Sequence, residues 1–540
     1  MVPETNTAGW TTIPAAVRAA AATAPDTLAV VDGDLRLTYA ELDAEVTRFA
    51  RGVIARGMRP GERAAVWAPN SGRWIIAALG IMAAGGVLVP VNTRFKGEEA
   101  RHALAKVRAE LLVVDDGFLG NAYLAMLRGG VGVALPEPTS ETPVPALPSL
   151  RTVVTMRASD DPFVLPFDRL TADGERIPAA EVDRRVADLR PDDVADILFT
   201  SGTTGFPKGA MVTHRSNLWV DEAWSDMVGL LPGDRYLLIN PFFHSFGYRA
   251  GILACLVRTA TMVPLAVFDV EAALELVQAE RITVFPGAPT VYSSILAHPR
   301  RGDYDLGSVR LAVTGATVVP VPLLKSMRAD LGFRDVITAY GLTETCGTAT
   351  VCPPDTDQER LSTSCGKAIP GVEVVIADPG GETVPTGEKG EILVRGANLM
   401  VGYFEDPGAT AKAIDAAGWL HTGDIGWLDA DGYLRVTDRL KDMFVVGGFN
   451  AYPAEIERLL SEHPDVAEVA VVGTPDDRLG EVGHAYVVAR EGRTPTEEEL
   501  TAFCRDTMAN YKVPRHFSFV GELPRTPSGK IQKFRLGASR

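Results

Sequence analysis

The stretch Phe199-Thr200-Ser201-Gly202-Thr203-Thr204-Gly205-Phe206-Pro207-Lys208-Gly209 packs three glycines, four hydroxyls and a lysine into one turn behind the apolar run 197–200. Glycines let backbone N–H groups approach an anion, hydroxyls donate further bonds, and a lysine supplies a point charge for phosphate oxygens. Thr200, Ser201, Gly202, Thr203, Thr204, Gly205 and Lys208 therefore read as a phosphate cradle. The pattern GxxxxGK[ST] is absent, so this is not a Walker A loop. A plain Gly/Thr turn would account for a shorter match than this one.

Working outward, runs 197–200, 235–240, 283–286 and 310–314 are apolar without alternation, which predicts strands covered on both faces in an α/β fold. The opening reads as strand 28–32, a Gly33-Asp34 turn and strand 35–38, with Thr38 and Glu41 as a capping box into a helix. Residues 74–91 are apolar over about the length of a membrane span, but Gly85-Gly86 and Pro90 divide them into helix, turn and strand, so no membrane span is expected. Residues 135–148 carry five prolines and predict an exposed, irregular connection. Downstream of 438–442 lies a compact set: helix 455–463, strands 466–474 and 485–489, and a helix after Thr496, with Thr496 and Glu499 as a second capping box. The expected fold is a large N-terminal domain with covered parallel sheets, residues 1–440, and a small mobile α+β domain, residues 441–540.

The 540 residues exceed one ordinary core, and a composition of 46% hydrophobic and 23% charged residues is that of a folded enzyme. A net charge of -16 disfavours a nucleic-acid or anionic-membrane partner. Five scattered cysteines without CxxC spacing give neither a disulfide framework nor a zinc site. With no secretory signal pattern in residues 1–10, the reading is cytoplasmic. A homo-oligomer stays open.

Further motifs follow in order: Tyr340-Gly341-Leu342-Thr343-Glu344, His421-Thr422-Gly423-Asp424, Asp438-Arg439-Leu440-Lys441-Asp442, Gly447-Gly448-Phe449-Asn450 and Pro527-Ser528-Gly529-Lys530. Together with the glycine loop they resemble the adenylate-forming superfamily of acyl-CoA synthetases, peptide-synthetase adenylation domains and firefly-type luciferases, over nearly the whole chain. The resemblance implies an AMP-forming carboxylic acid:CoA ligase using ATP, Mg²⁺ and coenzyme A. It implies that Glu344 holds Mg²⁺, a hard cation suited to carboxylate oxygen. Tyr340 and Gly341 would border adenine on one side, Gly315 and Ala316 on the other. Asp424 would accept the ribose hydroxyls, Arg439 would contact ribose and phosphate, and Lys441 would be the hinge. Lys530 would bridge the attacking carboxylate and the α-phosphate, and Gly447 and Gly448 would line a pantetheine tunnel. His244, in Asn240-Pro241-Phe242-Phe243-His244-Ser245-Phe246-Gly247, is similar to a gate between acyl pocket and tunnel. Read singly, each of these residues has a plainer role as core packing, a cap or a solvated charge.

Cys346 is assigned only to the acyl-pocket wall, since no activating base is placed beside it. No aspartate near His244 would pair a substrate ammonium, which disfavours amino-acid adenylation. Residues 239–256 and the run from Asp438 look like those of actinobacterial ligases for the propanoate side chain of degraded steroid rings. The expected substrate is thus a bulky polycyclic, steroid- or terpenoid-derived carboxylate; Gly251, Gly315 and Gly341 would leave room for rings or serve tight turns. The alternatives are a medium- or long-chain fatty acid or, in another class, a non-catalytic nucleotide-binding protein.

Overall fold

A computed structural model describes residues 9, 11–129, 139, 143–200, 207–315, 321–378, 380–439, 444–451, 453–524, 533 and 536. Two large sheets organise the N-terminal part. In one, strands Arg235–Leu238, Thr261–Pro264, Val284–Pro286, Leu311–Gly315 and Asp335–Tyr340 run parallel, with antiparallel strands at the edges. In the other, Arg63–Trp67, Val87–Pro90, Leu111–Val114, Thr152–Thr155 and Val194–Thr200 are parallel, and Lys208–Thr213 pairs antiparallel with the last.

Apart from Arg73, helix Gly72–Ala83 is buried along its length, and it touches strands of both sheets. Its continuous apolar sequence is explained by that double cover: a helix apolar all round belongs in a core. Gly85, at φ +83°, turns the chain into strand Val87–Pro90. No described helix is long and apolar enough to cross a membrane. Thr38 and Glu41 form the expected reciprocal cap on helix Tyr39–Ala55.

A third sheet, Val372–Ala377, Gly390–Gly396, Leu420–Leu428 and Leu434–Arg439, is antiparallel. The chain leaves it at Arg439 and enters the last sheet at Phe444. There Phe449–Ala451, Phe444–Val446, Gly480–Ala489 and Val466–Asp476 lie side by side, with His516–Phe519 parallel to Gly480–Ala489. Helices Pro453–Ser461 and Glu497–Thr507 cover this sheet over a core of its own that includes Phe444, Ile456, Leu459, Val471, Val487 and Leu500. The fold is the expected two-part α/β architecture.

The described part of the proline-rich segment, residues 143–148, departs from the expected exposure. Val144 and Leu147 are buried in the second sheet's core rather than exposed. Leucine and valine between prolines still seek apolar cover, and the prolines constrain only the backbone path.

Candidate active site

A cleft of about 1230 Å³ opens where parallel strands from both large sheets end. Asn70 follows strand Arg63–Trp67, Asn92 follows Val87–Pro90, Thr200 ends Val194–Thr200, Asn240 follows Arg235–Leu238, and Gly341 follows Asp335–Tyr340; all five line it. Ligands of open α/β sheets bind outside such carboxyl ends.

At one side the register of Val194–Thr200 against Lys208–Thr213 sets Thr200 opposite Lys208, so residues 201–207 are the connection between them. Ser201, Gly202, Thr203, Thr204 and Gly205 lie outside the described residues, as do Ala316, Lys441 and Lys530. The Lys208 ammonium sits 5.0 Å from the centroid of the Tyr403 ring, whose hydroxyl donates to Glu344 Oε1 at 2.7 Å. A cation, an aromatic ring and a carboxylate are thus fixed in one corner. Met400 N–H holds the Glu344 carbonyl at 2.8 Å, anchoring its backbone.

Among the described residues no cluster of three His, Cys, Asp or Glu could hold a metal. The donor set around Glu344 nevertheless suits Mg²⁺, which takes one or two carboxylates and completes its shell with phosphate oxygens and water.

Tyr340 donates to Asp424 Oδ2 at 2.7 Å, joining two residues that the motifs list separately. Asp424 is almost fully buried yet lines the cleft. Gly423 has φ +72°, and its N–H donates to Glu391 Oε1 at 3.0 Å, while Glu391 Oε2 lies 3.0 Å from His421 Nδ1. Glu391 therefore pins the irregular stretch of strand Leu420–Leu428 that presents Asp424. The strand register places Arg439 directly opposite Asp424, and Gly315 beside Ala339, next to Tyr340.

His244 faces the cleft. Its Nδ1 accepts from Phe246 N–H at 3.2 Å, which assigns the proton of the neutral ring to Nε2. The ring is exposed to the cleft, and the surrounding protein and the Arg249 guanidinium lower its pKa, which favours the neutral form. Asn70 fixes the preceding loop across the two sheets: its amide donates to the carbonyls of Leu238 and Asn240, each at 2.9 Å, and its Oδ1 accepts from Phe242 N–H.

Behind His244 the chain widens into a π-helix over Tyr248–Leu253, a distortion often found beside functional sites. It carries Arg249, sealed from solvent and paired with buried Asp196 at 2.6 Å; Arg249 also donates to the Thr343 carbonyl at 3.3 Å. Burial holds the Asp196 carboxyl above the usual carboxylate range despite this partner.

Two expectations fail here. Cys346 does not line the cleft: it is completely buried, and burial pushes its thiol up to about 12. Gly251 and Gly341 leave room for protein, not for rings. A Cβ on Gly251 would stand 2.7 Å from Leu238 Cδ2, and one on Gly341 would stand 2.2 Å from the Gly347 carbonyl oxygen.

Gly447 and Gly448 border the cleft from the other domain. With Val446 paired to Phe449 they form a two-residue hairpin turn, and both have positive φ, +55° and +87°. Such turns favour glycine at both positions. A Cβ on Gly448 would lie 3.5 Å from Ala288 Cβ, so the turn closely approaches the large domain. Sequence reasoning missed Tyr403, Glu391, Asn70 and the Tyr340–Asp424 bond, which join distant strands and leave no spacing signal.

This fold and site define a two-domain adenylate-forming enzyme. Residues 17–404 match the model of the AMP-binding enzyme family and residues 455–530 that of the AMP-binding enzyme C-terminal domain. The chain is 48% identical over 97% of its length, and 98% of the relative's, to a 3-[(3aS,4S,7aS)-7a-methyl-1,5-dioxo-octahydro-1H-inden-4-yl]propanoyl:CoA ligase of Rhodococcus jostii. It is 46% identical, over 97% and 98%, to the Mycobacterium tuberculosis protein of the same name. Its structure resembles an o-succinylbenzoate CoA synthetase of Bacillus subtilis bound to a product analogue, with TM-score 0.82 and 29% identity over 97% and 98% of the two chains. The chain belongs to the AMP-binding enzyme family, as an AMP-forming acyl-CoA ligase that uses ATP and coenzyme A.

Proposed function

We propose that this chain activates a polycyclic carboxylic acid bearing a propanoate arm, in the cytoplasm, as its acyl-AMP and then as its acyl-CoA. The observation that carries the reading is the near-full-length identity of 48% to a ligase whose named acid is a methyl-dioxo-octahydroindenyl propanoate. A cleft of about 1230 Å³ has room for a fused bicyclic acid on a short arm beside a nucleotide.

In the first half-reaction the carboxylate oxygen attacks the α-phosphorus of ATP and pyrophosphate leaves. Thr200, residues 201–205 and Lys208 would hold phosphate oxygens. Asp424, presented by Glu391 and Tyr340, would accept from the ribose hydroxyls, with Arg439 opposite it. Tyr340, Gly341, Gly315 and Ala316 would frame the adenine. Glu344, oriented by Tyr403, would carry Mg²⁺, which when bound neutralises phosphate charge. Lys530 would orient the reacting oxygens, the positioning and electrostatic help such transfers chiefly need.

In the second half-reaction the thiol sulfur attacks the acyl carbon and AMP leaves. We read Gly447 and Gly448 as the wall of the thiol passage, and neutral His244 as its gate. The segment holding Lys441, between the third and last sheets, would be the hinge on which the domains 1–440 and 441–540 exchange these roles. The test is a panel of fatty, aromatic and polycyclic acids with ATP and CoA, read by product mass. Turnover confined to polycyclic propanoates supports the reading; preference for a medium-chain fatty acid refutes the substrate assignment.

A further inference from the structure

We infer that Glu99 and Lys512 form a cross-domain clasp that seats the Gly447–Gly448 turn for acyl transfer to the thiol. The inference rests on the two-step ligase reading and adds a positioning pair to it. Lys512, in the small domain, donates to Glu99 Oε1 of the large domain and to Glu455 Oε1 of its own, each at 2.6 Å. The three side chains are 1%, 4% and 2% exposed. Glu99 cannot easily swing away, since its Oε2 accepts from Lys96 N–H at 2.9 Å at the start of helix Gly97–Lys106.

A buried lysine between two carboxylates is costly to leave half-paired, so the cluster favours one domain placement strongly over others. Burial raises the Glu99 carboxyl while the two acids hold the Lys512 ammonium well above its ordinary value, keeping it charged.

The cluster connects directly to the glycine turn. Tyr511, the residue before Lys512, stacks on Phe449 at 4.8 Å and 23°, and Phe449 follows Gly448. Asn92 of the large domain donates to the Tyr511 hydroxyl at 3.4 Å, and the Arg94 guanidinium lies 5.9 Å from the Phe449 ring. Residues 92–99 thereby grip residues 449, 511 and 512, with the glycine turn at the cleft. Glu99 and Lys512 do not line the cleft, so their effect on chemistry runs through placement of the small domain.

The test uses the full chain with Glu99→Gln. Pyrophosphate exchange reports adenylation, and rapid mixing of preformed acyl-AMP with CoA reports transfer. The expected result is exchange within about twofold of wild type and transfer slowed by about 10²-fold, the scale of a broken buried pair. The conservative Glu99→Asp keeps an acid facing Lys512 and should retain at least about a tenth of the wild-type transfer rate. Independently of turnover, amide exchange at Phe444–Val446 should quicken in Glu99→Gln and stay closer to wild type in Glu99→Asp. Equal loss of both half-reactions, or no change in transfer, overturns the clasp. Failure of the underlying ligase reading would appear in wild type itself as acyl-AMP without acyl-CoA; the amide-exchange comparison would still decide the clasp.

Discussion

Glu344 and Tyr403 show what one side chain contributes here. The Tyr403 hydroxyl holds one oxygen of Glu344, 59 positions away in sequence, and its ring lies under Lys208. Glu344→Gln should reduce pyrophosphate exchange by about 10²- to 10³-fold, as for loss of a preorganised electrostatic group. Exchange measured across Mg²⁺ concentrations checks this: a carboxylate that carries the metal predicts a raised Mg²⁺ requirement, and an unchanged one removes Glu344 from that role. Lys530→Ala should lose adenylation on the same scale while transfer from supplied acyl-AMP persists, as rapid-quench assays would show. That Glu344, Asp424, Thr200 and Lys208 line one cleft was legible because each sits in a compact motif shared with the resembled family. Tyr403 and Glu391 were not, because their roles arise when strands distant in sequence pair. The glycine readings failed for a related reason: whether a missing Cβ admits a ligand or a neighbouring carbonyl depends on packing that no local pattern encodes.

At the scale of elements, the strands and caps were read well because covered parallel strands and capping boxes have local signatures. The Gly33-Asp34 hairpin, the broken apolar run around Gly85-Gly86 and the capping box at Thr496 all lie where periodicity placed them. The π-helix at Tyr248–Leu253 had no such signature, and neither did the buried Arg249–Asp196 pair beneath it. Asp196→Ala leaves a guanidinium buried without its acid, so unfolding free energy should fall by about 3–5 kcal/mol, measured by urea titration. In the hairpin that borders the cleft, Gly448 sits at φ +87°, where an L side chain is strained. Gly448→Ala should cost about 1 kcal/mol in stability and slow acyl transfer more than adenylation, a split that half-reaction assays would reveal.

Across the whole molecule, two domains meet over one cleft, and its large N-terminal part carries histidines held neutral. His214 is buried, accepts from Ile13 N–H, and burial lowers its pKa from 6.5 to about 4. The unfolded chain therefore binds this proton more readily than the native one. Its contribution to stability is fully present above pH 6.5 and is lost as pH falls toward 4, with a slope of at most about 1.4 kcal/mol per pH unit from this group. Urea midpoints across that range should fall with pH, and less steeply in His214→Gln. The domain plan was legible in the sequence because a second set of strands and helices follows the third sheet, whereas the ion cluster joining the domains needed both chains of contacts in space. The central claim, attack by a polycyclic carboxylate on the α-phosphorus followed by transfer to CoA, is tested most directly by labelling both carboxylate oxygens of an octahydroindenyl propanoate with heavy oxygen. One label in AMP and one in the acyl-CoA carbonyl is the predicted outcome; label in inorganic phosphate or pyrophosphate, or none in AMP while acyl-CoA forms, would contradict it.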